Sequence, residues 1–177
     1  MRIDQYLDGR RNLRSIQRFA MEPTIKNQNL CDHGYNVATL FYIVMGSLGR
    51  VCTARDLFLV MQHDFVESMT GDLNKLVKEK NDRTRRAWET IECEVVPEEL
   101  NYLCDAGLRE LLSSEDYEVF KFCDLFEAWI YCLEERAMGN TMLNRAQRHY
   151  VTRLHEISYS NEVFKGMVEE ARGRYRW

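Results

Sequence analysis

One long segment of the chain, "YEVFKFCDLFEAWIYCLEE" at residues 117–135, is apolar on nearly every side of the helix that its spacing predicts. Such a helix is stable in water only when other helices surround it, so the segment predicts a multi-helix core. Asp124 stands in the middle of this apolar surface. An uncompensated buried carboxylate costs on the order of several kcal/mol, so polar or cationic groups are expected to face it.

The rest of the chain also carries helical signals. Only two prolines occur in 177 residues, apolar side chains recur at helical spacing, and no strand-like alternation persists. We therefore predict an all-α fold in which the whole chain, residues 1–177, forms one compact helical bundle. The predicted helices are at 4–19, 33–48, 53–69, 82–93, 97–112, 115–138, 141–159 and 161–172.

Composition excludes several classes of function. The net charge of -4 and the pI near 5.7 provide no overall positive field that would recruit a nucleic acid polymer or an anionic membrane. The longest apolar run, "VATLFYIVMGSL" at 37–48, is too short to span a bilayer. Six cysteines without a C-x-x-C pair, and the polar start "MRIDQYLDGRR" without a signal peptide, predict reduced thiols in a cytoplasmic protein.

Two further predicted helices carry polar side chains at the ends of apolar runs. His33 opens the helix that leads into one run, and His63 and Asp64 follow "LFLVM" at 57–61. With Asp124, these imidazoles and carboxylates match the ligand preferences of Zn, Co, Mn or Fe, with octahedral positions left for water or phosphate oxygens. The alternative is structural, because a helical His is more often a satisfied core or surface residue and Asp64 could pair with an arginine.

The order of these residues resembles the H...HD...D signature of the HD-domain phosphohydrolases, most closely the bacterial 5'-deoxynucleotidase branch. An HD dipeptide alone is common, whereas H-D-x-x-E-x-x-T-G-D-L combined with His33 and Asp124 is specific. The resemblance spans roughly residues 13–170 and implies a single HD-domain helical bundle. The matching stretches are "RSIQRF" (14–19), "DHGYNVA" (32–38), "HDFVESMTGDLNKLVK" (63–78), "VPEEL" (96–100) and "CDLFEAWIYCLEERAMGN" (123–140).

The resemblance implies a metal site and two catalytic carboxylates. Glu67 lies at i+3 from Asp64, on the same side of a helix, and is implied to be the general acid or base. Asp72, in the "TGD" turn, is implied to orient sugar or water, with a helix cap as the alternative. One divalent ion (Co, Zn, Mn, Mg or Fe) is implied to bind to His33, His63, Asp64 and Asp124.

The resemblance also implies substrate-binding residues. Arg18 corresponds to the phosphate-binding arginine of the relatives, and a guanidinium suits phosphate because it donates a planar fork and stays charged. Phe19 departs from the relatives, which carry at this position a Trp implicated in preferring deoxyribose; this weakens any inference about sugar specificity. Lys75 and Lys78 either meet a phosphate tail or are solvated surface lysines.

The implied reaction is removal of the 5'-phosphate from deoxynucleoside monophosphates. The alternative is a deoxynucleoside triphosphohydrolase releasing tripolyphosphate, as in the similar compact dATPases of phages with 2-aminoadenine genomes. A catalytically inactive helical binding protein is a third reading, against which the intact ligand set argues. Because the relatives form dimers or larger rings, a homo-oligomer (dimer or hexamer) is expected, with Tyr159, Tyr175 and Trp177 as candidate contacts.

Overall fold

The protein is a helical bundle, as shown by a computed structural model that describes residues 12–73, 75–78 and 80–175. Within these ranges the only strand-like pairing is one antiparallel bridge between Gln17 and Asn29, so the all-α prediction is confirmed. None of the described helices is both long and apolar enough to cross a bilayer. The helices are α1 (Leu30–Ser47), α2 (Ala54–Met61), α3 (Glu67–Thr70), α4 (Lys75–Lys78), α5 (Asp82–Val95), a 3-10 helix (Glu98–Leu103), α6 (Asp105–Leu111), α7 (Ser114–Ala137), α8 (Asn144–Ser158) and α9 (Glu162–Tyr175).

Helix α7 is the centre of the bundle, as its apolar sequence predicts. It packs against α1, α8, α9 and α6, and Phe122 and Trp129 on it are fully buried. The helix begins at Ser113, whose hydroxyl accepts from the Asp116 backbone N–H at 3.1 Å. It ends before Gly139, which has a φ of 96°, a left-handed conformation that glycine adopts without steric cost.

The predicted helix at 4–19 is too long. Residues 4–11 lie outside the described residues, residues 12–13 are helical, and residues 14–19 form turns and the bridge at Gln17. The reason is that this segment pairs with the chain entering α1: the Arg18 N–H donates to the Gln28 carbonyl at 2.8 Å. These bonds replace the i to i−4 bonds of a helix.

One face of α7 holds the segment before α1 in place. Glu127, Tyr131 and Glu135 follow one another at i+4 spacing, so they lie on the same side of the helix. Glu135 is fully buried and accepts from the backbone N–H groups of Ile25 and Lys26 at 2.8 and 2.7 Å. The Tyr131 hydroxyl also donates to the Lys26 carbonyl. Buried polar groups of α7 therefore fix this irregular segment.

Two predicted helices are interrupted in the structure. The helix predicted at 53–69 ends at Met61, because the Val60 carbonyl accepts from the backbone N–H of His63 at 3.3 Å and faces the His63 ring Nδ1 at 2.8 Å. The helix predicted at 97–112 breaks at Cys104, whose φ of -80° and ψ of 164° are extended. Its thiol donates to the Asn101 carbonyl at 2.8 Å. Local side-chain bonds thus end both helices.

Helices α1 and α2 cross in close contact at Gly34. A Cβ added at Gly34 would lie 2.7 Å from the Met61 carbonyl oxygen, closer than real Cβ atoms approach. The crossing brings the start of α1, with His33, next to the end of α2, which is followed by His63. The absence of a side chain at Gly34 therefore allows two of the predicted ligands to meet.

We predict that Gly34→Ala lowers the free energy of unfolding by about 1–3 kcal/mol, because the new methyl group overpacks the crossing. Gly46 on the same helix is the matched control, since an added Cβ there meets nothing within 4 Å. Gly46→Ala is expected to raise stability by about 0.5–1 kcal/mol. Urea unfolding of both variants provides the measurement; equal stability of the two would contradict the close crossing.

Candidate active site

Three of the predicted metal ligands, His33, His63 and Asp64, offer atoms that lie within 4.8 Å of one another, and Asp124 lies beside both histidines. His33 lies in the first turn of α1, His63 and Asp64 lie in the turn after α2, and Asp124 lies in the middle of α7. His33 Nε2 is 3.1 Å from Asp124 Oδ1 and 3.7 Å from Asp64 Oδ2. His63 Nε2 is 3.2 Å from Asp64 Oδ1 and 3.8 Å from Asp124 Oδ1. The spacing of these atoms suits a shared cation.

The hydrogen bonds of His63 leave a lone pair facing Asp64 and Asp124. Its ring Nδ1 is 2.8 Å from the Val60 carbonyl, so Nδ1 carries the proton and Nε2 does not. Nε2 is buried and makes no hydrogen bond within the described part of the chain. Burial lowers the pKa of His63, which favours this neutral form. An imidazole lone pair facing two carboxylates fits a divalent cation.

His33 is oriented by a carboxylate that the sequence analysis missed. Its Nδ1 contacts Glu127 Oε2 in a strong hydrogen bond, which leaves Nε2 to face Asp124 and Asp64. Although burial and Arg18 lower the pKa of His33, Glu127 and Asp124 raise it to about 9 overall. A carboxylate on the second nitrogen is the usual partner of a metal-binding histidine.

A signal for Glu127 was present in the sequence. Glu127 lies at i+3 from Asp124, so both carboxylates face the same side of an otherwise apolar helix. Like Asp124, Glu127 is therefore a carboxylate on an apolar helix, and polar or cationic groups are expected to face it. Burial would raise the pKa of Glu127, but His33 and Arg18 lower it to about 2, so it is an anion in the interior.

Glu67 is buried beside the predicted ligands and is held by Lys78. Burial and then the charge of Asp64 raise the pKa of Glu67 to about 8, while Lys78 acts to lower it. Lys78 Nζ lies 2.5 Å from Glu67 Oε1 and 3.2 Å from Glu92 Oε1, and the Trp88 ring N–H donates to Glu92 at 2.5 Å. Lys78 is therefore neither a free surface lysine nor a cation left open for a phosphate tail.

The predicted substrate-binding residues Arg18 and Phe19 lie on the same side of the bundle as the predicted metal ligands. Arg18 Nη1 donates to Gln28 and to Glu127, each at 3.1 Å, and Phe19 stacks on Tyr131 with ring centroids 5.2 Å apart. Phe19 has a φ of 55°, which is unusual for a non-glycine residue.

Asp72 stabilises the turn that contains Arg18 and Phe19. Its Oδ2 accepts from the Phe19 backbone N–H at 3.2 Å, so Asp72 supports the Arg18–Phe19 turn. The side chain of Lys75 lies outside the described residues.

The four predicted ligands line one cavity of about 680 Å³, together with Arg18, Phe19, Glu67, Asp72 and Lys78. Its far wall comes from α8, where His149 and Tyr150 line the space with Arg153. The register of α8 turns His149 toward the cavity. His155, by contrast, is exposed and contacts Arg172.

Comparison with known proteins decides the family. The family model described as 5'-deoxynucleotidase YfbR-like matches residues 5–169. The chain belongs to this YfbR-like family. A relative from Escherichia coli O127:H6, named 5'-deoxynucleotidase YfbR, is 29% identical over 170 residues, covering 86% of this chain and 85% of the relative.

Solved structures of HD phosphohydrolases share the fold. An HD-domain phosphohydrolase from Listeria innocua has a TM-score of 0.73 and 18% identity, covering 94% of this chain and 90% of that one. The cyanophage S-2L HD phosphohydrolase, whose structure contains dA and one catalytic Zn²⁺, has a TM-score of 0.67 and 19% identity, covering 96% and 95%. With its family membership and its His–His–Asp cluster, the chain is a metal-dependent HD-domain phosphohydrolase.

We predict that Asp124→Asn weakens binding of the divalent ion by at least about tenfold, since even partners outside the ligand shell contribute 10–100-fold in metal sites. Asp116→Asn is the matched control, because Asp116 is on the same helix and pairs with Arg50 at 2.9 Å, away from the site. Metal content by mass spectrometry and titration of apo-protein provide the measurement. Parental affinity in Asp124→Asn would remove Asp124 from the ligand set.

Proposed function

We propose that this YfbR-like protein removes the 5'-phosphate of deoxynucleoside monophosphates by metal-dependent hydrolysis. The observation that carries the proposal is a family match over residues 5–169 together with four converging imidazole and carboxylate side chains at a cavity of about 680 Å³. A cavity of this size accommodates a nucleotide. The deoxynucleotide is the proposed substrate and partner.

The proposed ligands of the divalent ion are His33, His63, Asp64 and Asp124. Two nitrogen and two oxygen donors suit a borderline ion such as Zn, Co, Mn or Fe, and Mg is the less favoured choice. When bound, the ion supplies Lewis acidity toward a phosphoryl oxygen and a site for water.

Glu67 is proposed to move the proton of the reaction. Its carboxyl group lies in the cavity wall at i+3 from Asp64, where burial raises its pKa to about 8. A carboxyl group that holds a proton near neutral pH can give it to a leaving oxygen. Lys78, at 2.5 Å, keeps the Glu67 side chain in one orientation.

Substrate binding is proposed to involve the turn that carries Arg18 and Phe19. The Arg18 guanidinium, which lines the cavity beside His33, would take the phosphate, and the Phe19 ring would pack on the sugar. Asp72 supports this turn and is proposed to orient sugar or water. Lys75 stays a predicted phosphate contact.

Charge pairing around the cavity favours a monophosphate over a triphosphate. A triphosphate carries more negative charge than a monophosphate, so it needs cationic partners in addition to Arg18 and the metal ion. Within the described residues, every Lys or Arg that lines the cavity already pairs with a carboxylate. These are Arg18, Lys78, Arg85, Arg109, Lys121 and Arg153.

A product screen tests the proposal. The protein is incubated with each dNMP, dNTP and ribonucleotide in the presence of Co²⁺, Mn²⁺, Zn²⁺ or Mg²⁺, and the products are identified. We expect orthophosphate from the deoxynucleoside monophosphates. Tripolyphosphate from a dNTP would instead establish the alternative triphosphohydrolase activity, and no hydrolysis of any nucleotide would overturn the proposal.

We predict that Glu67→Ala lowers kcat by about a hundredfold or more while metal content is unchanged, because general acid–base help is lost but no ligand is removed. Glu89→Ala is the control: Glu89 also lines the cavity, but it is partly exposed and pairs with Arg85 at 3.0 Å. Steady-state kinetics and metal analysis of both variants provide the measurement. A parental kcat in Glu67→Ala would remove Glu67 from the mechanism.

A cytoplasmic homo-oligomer is the proposed assembly. Of the aromatic residues named as candidate contacts, Tyr159 is 83% exposed, whereas Tyr175 packs against the core and Trp177 lies outside the described residues. Helix α1 offers a larger apolar surface, since Tyr35, Tyr42 and Ile43 are all more than half exposed. Light scattering of the purified protein measures the oligomeric state.

A further inference from the structure

We propose that Glu127 is a positioning residue that holds the metal-binding and the phosphate-binding parts of the site in one arrangement. It orients His33 on one side and Arg18 on the other, although it faces neither metal nor substrate directly. Only the kinetic part of its test rests on the proposed function; the metal-binding part does not.

Both oxygens of Glu127 are fully used. Oε2 accepts a strong hydrogen bond from His33 Nδ1 and another from Arg18 Nη1 at 3.1 Å. Oε1 accepts from Gln28 Nε2 at 2.6 Å and from Asn36 Nδ2 at 3.1 Å. The residue is only 6% exposed, so water cannot readily replace any of these partners. The carboxylate is thereby fixed in a single rotamer.

The negative charge of Glu127 allows two N–H donors, from Arg18 and His33, to lie close together. Arg18 Nη1 lies 2.7 Å from His33 Nδ1, and a guanidinium nitrogen can only donate. His33 Nδ1 must also carry a proton if its Nε2 lone pair is to face Asp124 and Asp64. Two N–H donors this close repel each other unless an anionic acceptor takes both protons, and Glu127 Oε2 is that acceptor.

Glu127 therefore fixes two properties at once. It selects the His33 tautomer whose Nε2 can bind a cation, and it sets the direction in which the Arg18 guanidinium faces the cavity. A neutral amide of the same shape keeps the volume but loses the charge and replaces one acceptor with a donor. Metal affinity and phosphate engagement should consequently fall together.

The test compares Glu127→Gln with Glu135→Gln. Glu135 is a matched control, because it is fully buried on the same helix. It accepts hydrogen bonds from Ile25 and Lys26 in the segment before α1 and from Asn140 after α7, and none of these bonds involves His33 or Arg18. Affinity for Zn²⁺ or Co²⁺ alone is measured by calorimetry on metal-free protein. Kinetics with a deoxynucleoside monophosphate follow on the loaded protein.

We expect Glu127→Gln to bind the metal about 10–100-fold more weakly. Its KM should rise by about tenfold, the size expected for one weakened charged hydrogen bond. Glu135→Gln should unfold at a lower temperature but keep parental metal affinity and KM. Parental metal affinity in Glu127→Gln would overturn the proposal, and so would an equal loss in Glu135→Gln, since general loosening of α7 would then explain both.

A measurement on the unaltered protein covers the case in which Glu127→Gln does not fold. In the Zn²⁺-loaded protein, ¹⁵N–¹H NMR should show His33 protonated at Nδ1, with that proton shifted strongly downfield and protected from exchange. A freely exchanging Nδ1 proton, or protonation at Nε2, would overturn the proposal. A protein that binds metal as expected but hydrolyses no monophosphate would disprove the proposed function and leave the metal-binding result for Glu127 standing.

Discussion

Two buried carboxylates on the most apolar helix, Asp124 and Glu127 of α7, are the constraint on which the rest of the structure depends. Helix α7 cannot leave the core without exposing its apolar surface, so its carboxylates must be compensated where they are. His33 and Arg18 provide that compensation, and each comes from a different part of the chain. The side chains that form the site thus also compensate the buried charges of the core.

The irregular segments follow from the same requirement. The bonds of His63 to the Val60 carbonyl end α2. The turn that follows places His63 and Asp64 beside Asp124 of α7. The segment before α1 gives up helical bonds so that Arg18 can reach Glu127. Tyr131 and Glu135 stabilise that segment with hydrogen bonds from the same face of α7.

The sequence predicted those features that apolar periodicity and the order of motif residues indicate. The helix predicted at 115–138 is Ser114–Ala137, because apolar residues surround it and Ser113 and Gly139 mark its ends. Periodicity does not report side-chain bonds to the backbone, so the breaks at residues 62–66 and at Cys104 were missed. Glu127 was missed although its place on the apolar helix marks it as a buried carboxylate. What the sequence does not show locally is the identity of its partners, because Arg18 and His33 lie 109 and 94 residues away.

The ion pairs of Lys78 change the role that its position in the sequence suggests. In the sequence it follows the "TGD" turn and suits a phosphate tail, but in the fold it lies between Glu67 and Glu92. A lysine held by two carboxylates cannot neutralise an incoming phosphate without leaving Glu67 as an unpaired buried group. Its position therefore suits the proposed role of Glu67 in proton transfer, while phosphate binding is proposed for Arg18 and the metal ion. In this proposal, proton transfer lies on the α3 and α5 side of the cavity and phosphate binding on the α1 and α7 side.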